Sequence, residues 1–535
     1  LHRPAGHVAP LDAADAGRIR TAVARALVDA ASAVERVVVV RHTAQADVPW
    51  RAGRDVWADE LLAPATTRLV EAAQALGLAV HDESGLRALG DHDLVRVVWS
   101  VVPPVPVDAE FPLFFIYTSG STGKPKGVVH VHGGYVAGIA HTMRVSFDAQ
   151  PGDVMYVVAD PGWITGQSYM LSAALTTRVT SVLGEGAPVF PSAGRFASMI
   201  ERYGVRIFKA GVTFLKTVMA DAQNAEDVRR YDLSSLRVAT FCAEHVSPAM
   251  QQFGMDLMTP WYINSYWATE HGGIVWTHFY GNGDYPLRAD AHTYPLPWVR
   301  GDVWVADGAP DGEGRVPMRR AELGEKGEIV IEAPYPYLAR TIWGDVARFR
   351  VENGAVDPAW RGDLDRYRRT YWSRWQGRWA YTQGDFAVRY DDGGFSLHGR
   401  SDDVINVSGH RMGTEEIEGA ILRDKQLNAD SPVGNVIVVG APHREKGLTP
   451  LAFVTPAAGR RLTADDRRRL IELVRQEKGA VAVPEDFLEV PAFPETRSGK
   501  YVRRLVRALV EDEPIGDTST LRNPECVPAL TGIIA

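Results

Sequence analysis

The sequence predicts an α/β fold: a large N-terminal body of several subdomains, built mainly on parallel sheet with an added β region, and then a small mobile α+β domain. Three observations predict it. Short apolar runs bounded by turn residues alternate with helical patterns from about 150 to 270, the spacing at which a helix returns the chain to a parallel neighbour. Gly327–Ala333 and a hairpin over Phe386–His398, turning on Asp391-Asp392-Gly393-Gly394, read as antiparallel. After Gly399, helix and strand patterns resume on a smaller scale.

In chain order, helical spacing around Ile19–Ala31 leads into Val37–Val40, a β-branched run expected to be a buried strand. Residues 62–110 read as helix followed by the Pro-rich connector Val101–Val107. Phe114–Ile116 is a short apolar strand. Val154–Ala159, Val205–Val212, Leu236–Cys242 and Trp261–Trp267 are further strands, with helices at Arg195–Tyr203 and Val246–Met258 between them. In the small domain, helices are expected at Thr414–Leu422 and Thr463–Gln476, the latter opened by a Thr463/Asp466 cap pair. Strands fall at Val436–Val439 and Leu451–Val454, and a basic helix at Tyr501–Val510. The expected division is 1–110, 111–398, 399–521 and a linker or tail over 522–535.

Of 535 residues, 45% are hydrophobic and 23% charged, which excludes a disordered, collagen-like or coiled-coil chain. A net charge of −8 argues against a nucleic-acid partner. Cys242 and Cys526 are too few for a disulfide framework or a four-thiolate zinc site and suit a cytoplasmic, reducing setting. No apolar run reaches the roughly 18 residues that span a membrane.

Chemistry is concentrated in Tyr117–Gly127, where three Gly, four Ser or Thr and two Lys take nine of eleven positions beside a strand. Gly lets backbone N–H groups approach an anion, hydroxyls add donors and Lys adds charge, so the loop suits a polyphosphate. It is not a Walker loop, because Pro125 follows Lys124. This segment resembles the signature of the AMP-forming acyl-CoA synthetases, the adenylate-forming enzymes. Tyr266–Gly273, Tyr381–Asp385, Gly399–Asp403, Asn406–Arg411 and Thr496–Lys500 follow in the family's order, and Gly516–Leu521 is similar to the ending of the acetyl- and propionyl-CoA synthetase branch.

The resemblance implies a two-step ligase. A carboxylate attacks the α-phosphorus of ATP, giving an acyl-adenylate and pyrophosphate, and the thiol of coenzyme A then displaces AMP. By resemblance, Lys500 reaches the carboxylate and α-phosphate, Glu270 holds Mg²⁺, and Thr269 contacts the α-phosphate. Thr118, Ser119, Gly120, Ser121, Thr122, Gly123 and Lys124 cradle the phosphates. Ala243-Glu244-His245, Asn264, Ser265 and Tyr266 surround the adenosine, with Asn264 on the adenine amino group. Asp385 accepts the ribose hydroxyls and Arg400 holds phosphate or ribose. Asp402 is the hinge, Ser408 and Gly409 line the pantetheine path, and Arg411 contacts coenzyme A.

For the acid, Trp267 is similar to the tryptophan that closes the pocket in this branch. Trp163, Ile164, Thr165 and Cys242 form its other walls, so a two- or three-carbon carboxylic acid is expected. Departures such as His245 and His271 resemble the synthetase part of propionyl-CoA synthase, which implies 3-hydroxypropionate as substrate and fused or associated hydratase and reductase modules. Cys242 or Thr165 is then the expected partner of the substrate hydroxyl. Two other readings remain open: an adenylation domain that loads a carrier protein, and a truncated non-catalytic module. The phosphate loop lies earlier in the chain than is usual in the branch, and the chain starts at Leu1. That leads to the expectation of a segment shortened at the N-terminal side of the large body.

Overall fold

The structure, a computed structural model, describes residues 35–40, 50–118, 126–186, 188–219, 221–242, 246, 248–285, 287–290, 292–401, 404–407, 410–428, 430–444, 447–457, 459–495, 501–515, 518 and 521–534. The helix expected over Ile19–Ala31 lies outside them. The chain divides into two compact units, Leu1–Val107 and Asp108–Ala535.

In the first unit, β1 (Val37–Val39) pairs in parallel with β2 (Asp55–Trp57). The expected burial of Val37–Val40 is corrected here: Val38 is 54% and Val40 69% exposed, because a two-stranded sheet leaves its faces open. Helices α1 (Ala58–Ala75), α2 (Glu83–Arg87) and α3 (Asp91–Val101) close around Ala73, Leu86 and Val97.

The second unit opens with β3 (Pro112–Thr118) and β4 (Lys126–Val131), an antiparallel pair on either side of the Gly- and Ser-rich segment in the sequence, and α4 (His132–Phe147). A doubly covered sheet follows. Its elements are β5 (Val154–Val157), a π-helical stretch over Gly166–Ser172, β6 (Thr180–Val182), α5 (Arg195–Tyr203), β7 (Ile207–Gly211) and α6 (Val212–Met219). Then come β8 (Val238–Cys242), α7 (Pro248–Leu257), β9 (Tyr262–Tyr266), β10 (Trp276–Thr277) and β11 (Tyr294–Pro295). The strand order is β11-β10-β9-β8-β7-β5-β6. The pairs from β6 to β9 are parallel and the last two antiparallel.

Alternation along each strand explains why these sequences read as apolar runs. Met155, Val157, Ile207, Val238 and Ile263 point into one core, while Tyr156, Phe208, Ala239, Phe241 and Tyr262 point into a second core on the opposite face. Helix α5 stops where Gly204 takes φ 60°, the left-handed conformation that ends a helix without a Cβ penalty.

The antiparallel region is as expected. β12 (Gly301–Ala306), β13 (Met318–Arg320) and β14 (Lys326–Ile331) precede β15 (Thr341–Ile342), which pairs with β4. After the short hairpin of β16 (Val351–Glu352) and β17 (Ala355–Val356) and the helix α8 (Leu364–Tyr371), β18 (Tyr381–Arg389) and β19 (Phe395–Arg400) complete a sheet ordered β13-β12-β14-β18-β19.

The C-terminal portion contains β20 (Val404–Val407), β21 (His410–Gly413), α9 (Thr414–Leu422), β22 (Val433–His443) and β23 (Gly447–Pro456). Helix α10 (Ala464–Lys478), β24 (Phe487–Glu489) and α11 (Arg503–Val510) follow. Thr463 and Asp466 form the expected capping box at the start of α10. Residues 522–535, expected as a linker or tail, instead carry α12 (Cys526–Ile534). Its Cys526, Val527 and Leu530 are buried with Phe453, Leu505 and Val506, because an apolar helical face needs a core to cover it. The α/β class, with a large N-terminal body and a small C-terminal α+β portion, is borne out. Among the described residues, no helix is long and apolar enough to cross a membrane.

Candidate active site

The C-terminal ends of β7, β8 and β9 bring the chemistry together, as open parallel sheets generally do. The loop after β9 is shaped for close approach. Gly272 has φ +77°, and a Cβ there would stand 2.3 Å from the Tyr337 carbonyl oxygen, so only glycine turns the chain this tightly behind Glu270. The backbone is pinned further by Ala339 N–H donating to the Glu270 carbonyl at 2.9 Å. His130 Nε2 meets the Thr269 carbonyl at 2.9 Å.

Glu270 is buried at 5% exposure, and its carboxylate accepts from two side chains. The Tyr371 hydroxyl donates to Oε1 and Gln383 Nε2 donates to Oε2 at 3.3 Å. Lys126 Nζ lies 5.0 Å from the Tyr371 ring centroid. Burial pulls the Lys126 pKa down, opposed by the attraction of Glu270.

One step along β18, Asp385 faces Arg400 across the hairpin. Tyr266 O–H donates to Asp385 Oδ2 at 2.6 Å, while Arg400 Nη1 lies 3.5 Å from Oδ1 and donates to the Gln383 carbonyl at 2.9 Å. Burial and the Asp385 carboxylate both hold the Tyr266 phenol protonated, with a pKa well above its ordinary value. Glu270, Gln383, Arg400, Asp385 and Tyr266 are thus linked by side-chain and backbone contacts. Thr118, at the end of β3, has a buried Oγ1 without a hydrogen-bond partner among the described residues, and an incoming phosphate oxygen would satisfy it.

Beneath this polar set, Ile164, Cys242 and Trp267 share one core cluster with Tyr169, whose ring meets Trp267 edge-on at 5.1 Å. Trp163 and Thr165 are half-buried, and the Trp163 Nε1 is buried without a partner among the described residues. Asn264 is buried on β9, its carbonyl accepting from Thr277 Oγ1 at 2.7 Å. Ser265 Oγ accepts from Thr240 Oγ1 and Lys209 Nζ and donates to the Phe241 carbonyl. Arg411 lies on β21. Ser119, Gly120, Ser121, Thr122, Gly123, Lys124, Ala243, Glu244, His245, Asp402, Ser408, Gly409 and Lys500 fall outside the described residues.

Sequence reasoning missed Gln383, Tyr371, Lys126 and Lys209 as site residues. Gln383 carries a usable signal: it sits two residues before Asp385, inside the same motif Tyr381–Asp385. Lys209 carries another, a charged residue inside the apolar run Ile207–Gly211. Tyr371 carries none, since its contact with Glu270 depends on how the segment after β17 folds back. Among the described residues, no group of three His, Cys, Asp or Glu side chains is placed to hold a metal. A lone buried carboxylate still fits Mg²⁺, which commonly takes one or two protein carboxylates and completes its shell with phosphate and water.

The sequence profile of the AMP-binding enzyme family matches residues 15–343, and that of the AMP-binding enzyme C-terminal domain matches residues 424–500. The acetyl-coenzyme A synthetase of Pyrobaculum aerophilum is 34% identical over 508 residues, covering 94% of this chain and 66% of the relative. That of Mesorhizobium japonicum is 35% identical over 503 residues, 93% of this chain and 66% of the relative. The chain thus spans just under two thirds of the length of these relatives. Among solved structures, the acetoacetyl-CoA synthetase from Streptomyces lividans superposes with a TM-score of 0.63 at 21% identity, over 85% of this chain and 68% of the other. An anthranilate CoA ligase in complex with anthranoyl-AMP gives 0.59 at 21% identity, over 78% and 71%. At these identities the two structures speak for the fold.

Proposed function

The chain belongs to the AMP-binding enzyme family, and from that premise we propose that it activates a short carboxylic acid with ATP to an acyl-adenylate and then to its coenzyme A thioester. The observation that carries the reading is the connected set around Gln383, which joins an acidic metal position, Glu270, to a ribose-reading carboxylate, Asp385. The acid's oxygen attacks the α-phosphorus, and the bond to pyrophosphate breaks. No nucleophilic side chain is needed, so the protein's work is orientation and charge stabilisation.

In this reading, Thr118 and the loop to Lys124 take the phosphates, Asp385 and Arg400 the ribose, and Asn264 and residues 243–245 the adenine. Bound Mg²⁺ at Glu270 would neutralise phosphate charge. Lys500 serves adenylation, Asp402 is the hinge for the second step, and Ser408, Gly409 and Arg411 meet coenzyme A. Trp267, Trp163, Ile164, Thr165 and Cys242 wall a pocket for two or three carbons. The relatives named as acetyl-coenzyme A synthetases support the chain length. The narrower reading is 3-hydroxypropionate, supported by the polar groups at Cys242 and Thr165. With it comes the proposal that hydratase and reductase modules consume the product.

The test is pyrophosphate release from ATP and Mg²⁺ with acetate, propionate and 3-hydroxypropionate, with and without coenzyme A. Acid-dependent release, and thioester only when coenzyme A is present, is expected. No acid-dependent release would refute the function.

A further inference from the structure

Lys209 is the one residue of β7 whose chemistry contradicts its surroundings. Its exposure is 0%, on a strand buried among apolar neighbours. Alternation turns it to the same face as Ile207, into the core that also contains Tyr169, Cys242 and Trp267. Nζ donates to Ser265 Oγ at 2.8 Å and lies 4.9 Å from the Tyr169 ring centroid and 5.4 Å from that of Trp267. The Cys242 thiol is close enough to raise the lysine pKa, against the larger lowering that burial imposes. Among the described residues, no carboxylate pairs with it.

A buried ammonium normally has an anionic partner, because leaving water is costly unless another group replaces it. Ser265 supplies one acceptor. The other donors of Nζ are left with a thiol and two aromatic faces. Those same groups, Cys242 and Trp267, are walls of the acyl pocket in the reading given above, and they retain slight exposure of 4% and 7%. The amine is therefore set among the side chains that this reading makes the pocket wall, opposite in chemistry to the methyl end of an alkanoate.

We propose that Lys209 is a specificity residue, donating through Nζ to an oxygen at the end of the acid remote from the reacting carboxylate. The substrate class is then short acids with a terminal hydroxyl or a second carboxylate, rather than plain alkanoates. This rests on the ligase reading of the preceding subsection. A site built to hydrogen-bond an oxygen rejects the analogue that lacks it strongly, since its own polar group is left unpaired.

The experiment compares kcat/KM for pyrophosphate release with propionate, 3-hydroxypropionate and malonate, in the full chain and in Lys209→Met and Lys209→Gln. The expected result is a preference of about 10⁴-fold for an oxygenated acid over propionate. Lys209→Met should bring that ratio close to one. Lys209→Gln should keep part of a preference for the hydroxy acid, since its amide still donates, but lose one for malonate, since its charge is gone. A wild-type preference for propionate overturns the proposal, as does an unchanged ratio in Lys209→Met. If that variant does not fold, the wild-type ratio and Lys209→Gln decide. Absence of turnover with every acid tried, longer alkanoates included, overturns the ligase reading and the inference with it. Turnover of alkanoates without preference overturns only the role of the lysine.

Discussion

Replacing Tyr266 by Phe removes one hydroxyl and leaves the ring, so it isolates the bond that orients Asp385. That bond is 2.6 Å long and ends on a carboxylate. Hydrogen bonds to charged groups contribute about 1.5–3 kcal/mol. The lower end applies here, because the Asp385 side chain keeps 16% exposure and Arg400 stays within 3.5 Å of its other oxygen. About 1.5 kcal/mol corresponds to roughly a tenfold loss in ATP affinity. Isothermal titration with ATP and with 2′-deoxy-ATP checks it. If Asp385 grips the ribose hydroxyls, the Phe penalty is full for ATP and smaller for the deoxy nucleotide. Because burial and Asp385 keep the phenol protonated, the penalty should not change between pH 7 and 9. An equal penalty for both nucleotides, or none, would refute the reasoning.

Trp267→Gly should open the acyl pocket and raise kcat/KM for four- and five-carbon acids about tenfold, since a Trp in the space of a longer chain imposes roughly 1–3 kcal/mol of overpacking. An unchanged chain-length profile counts against that wall. Lys500→Ala should abolish acyl-adenylate formation but leave thioester formation from supplied acyl-adenylate largely intact. Equal loss in both half-reactions counts against its role. Stability should also depend on pH through two buried histidines. Burial lowers the folded pKa of His130 to about 4 and of His271 to about 3, from 6.5. Below pH 6.5 the unfolded chain binds protons that the folded one refuses. Stability is therefore full above 6.5 and falls on acidification by about 1.4 kcal/mol per histidine per pH unit, until the folded pKa is reached. Urea unfolding at pH 7, 6 and 5 measures this, and His130→Gln should flatten the slope.

Where the fold was legible in the sequence, burial on both faces made it so. The runs ending at Cys242 and Tyr266 announce parallel strands because neither face tolerates a polar residue without a partner. Helix α10 was legible through Thr463 and Asp466, a local reciprocal pair that needs no tertiary knowledge. Val37–Val40 misled because a β-branched run reports strand propensity, while burial depends on what covers the strand. In the site, Glu270 and Asp385 were readable from motifs. The link between them was not, since Gln383 and Tyr371 reach Glu270 from residues more than a hundred positions away. Lys209 is visible in the run Ile207–Gly211 as its one charged residue, but apolar periodicity reports the strand and not the chemistry of a single violation.

Helix α12 bears on where this chain can safely be cut. The recognisable sequence pattern ends at Leu521, and a boundary drawn there by motif would look clean. Leu521 itself is 5% exposed, and the next turns bring Cys526, Val527 and Leu530 onto Phe453, Leu505 and Val506. Trimming to the motif would uncover the flank of the small sheet that supports α11, whose first residue stands three positions after Lys500. A shortened version would then stand on a softened platform under α11 while every motif residue was still in place.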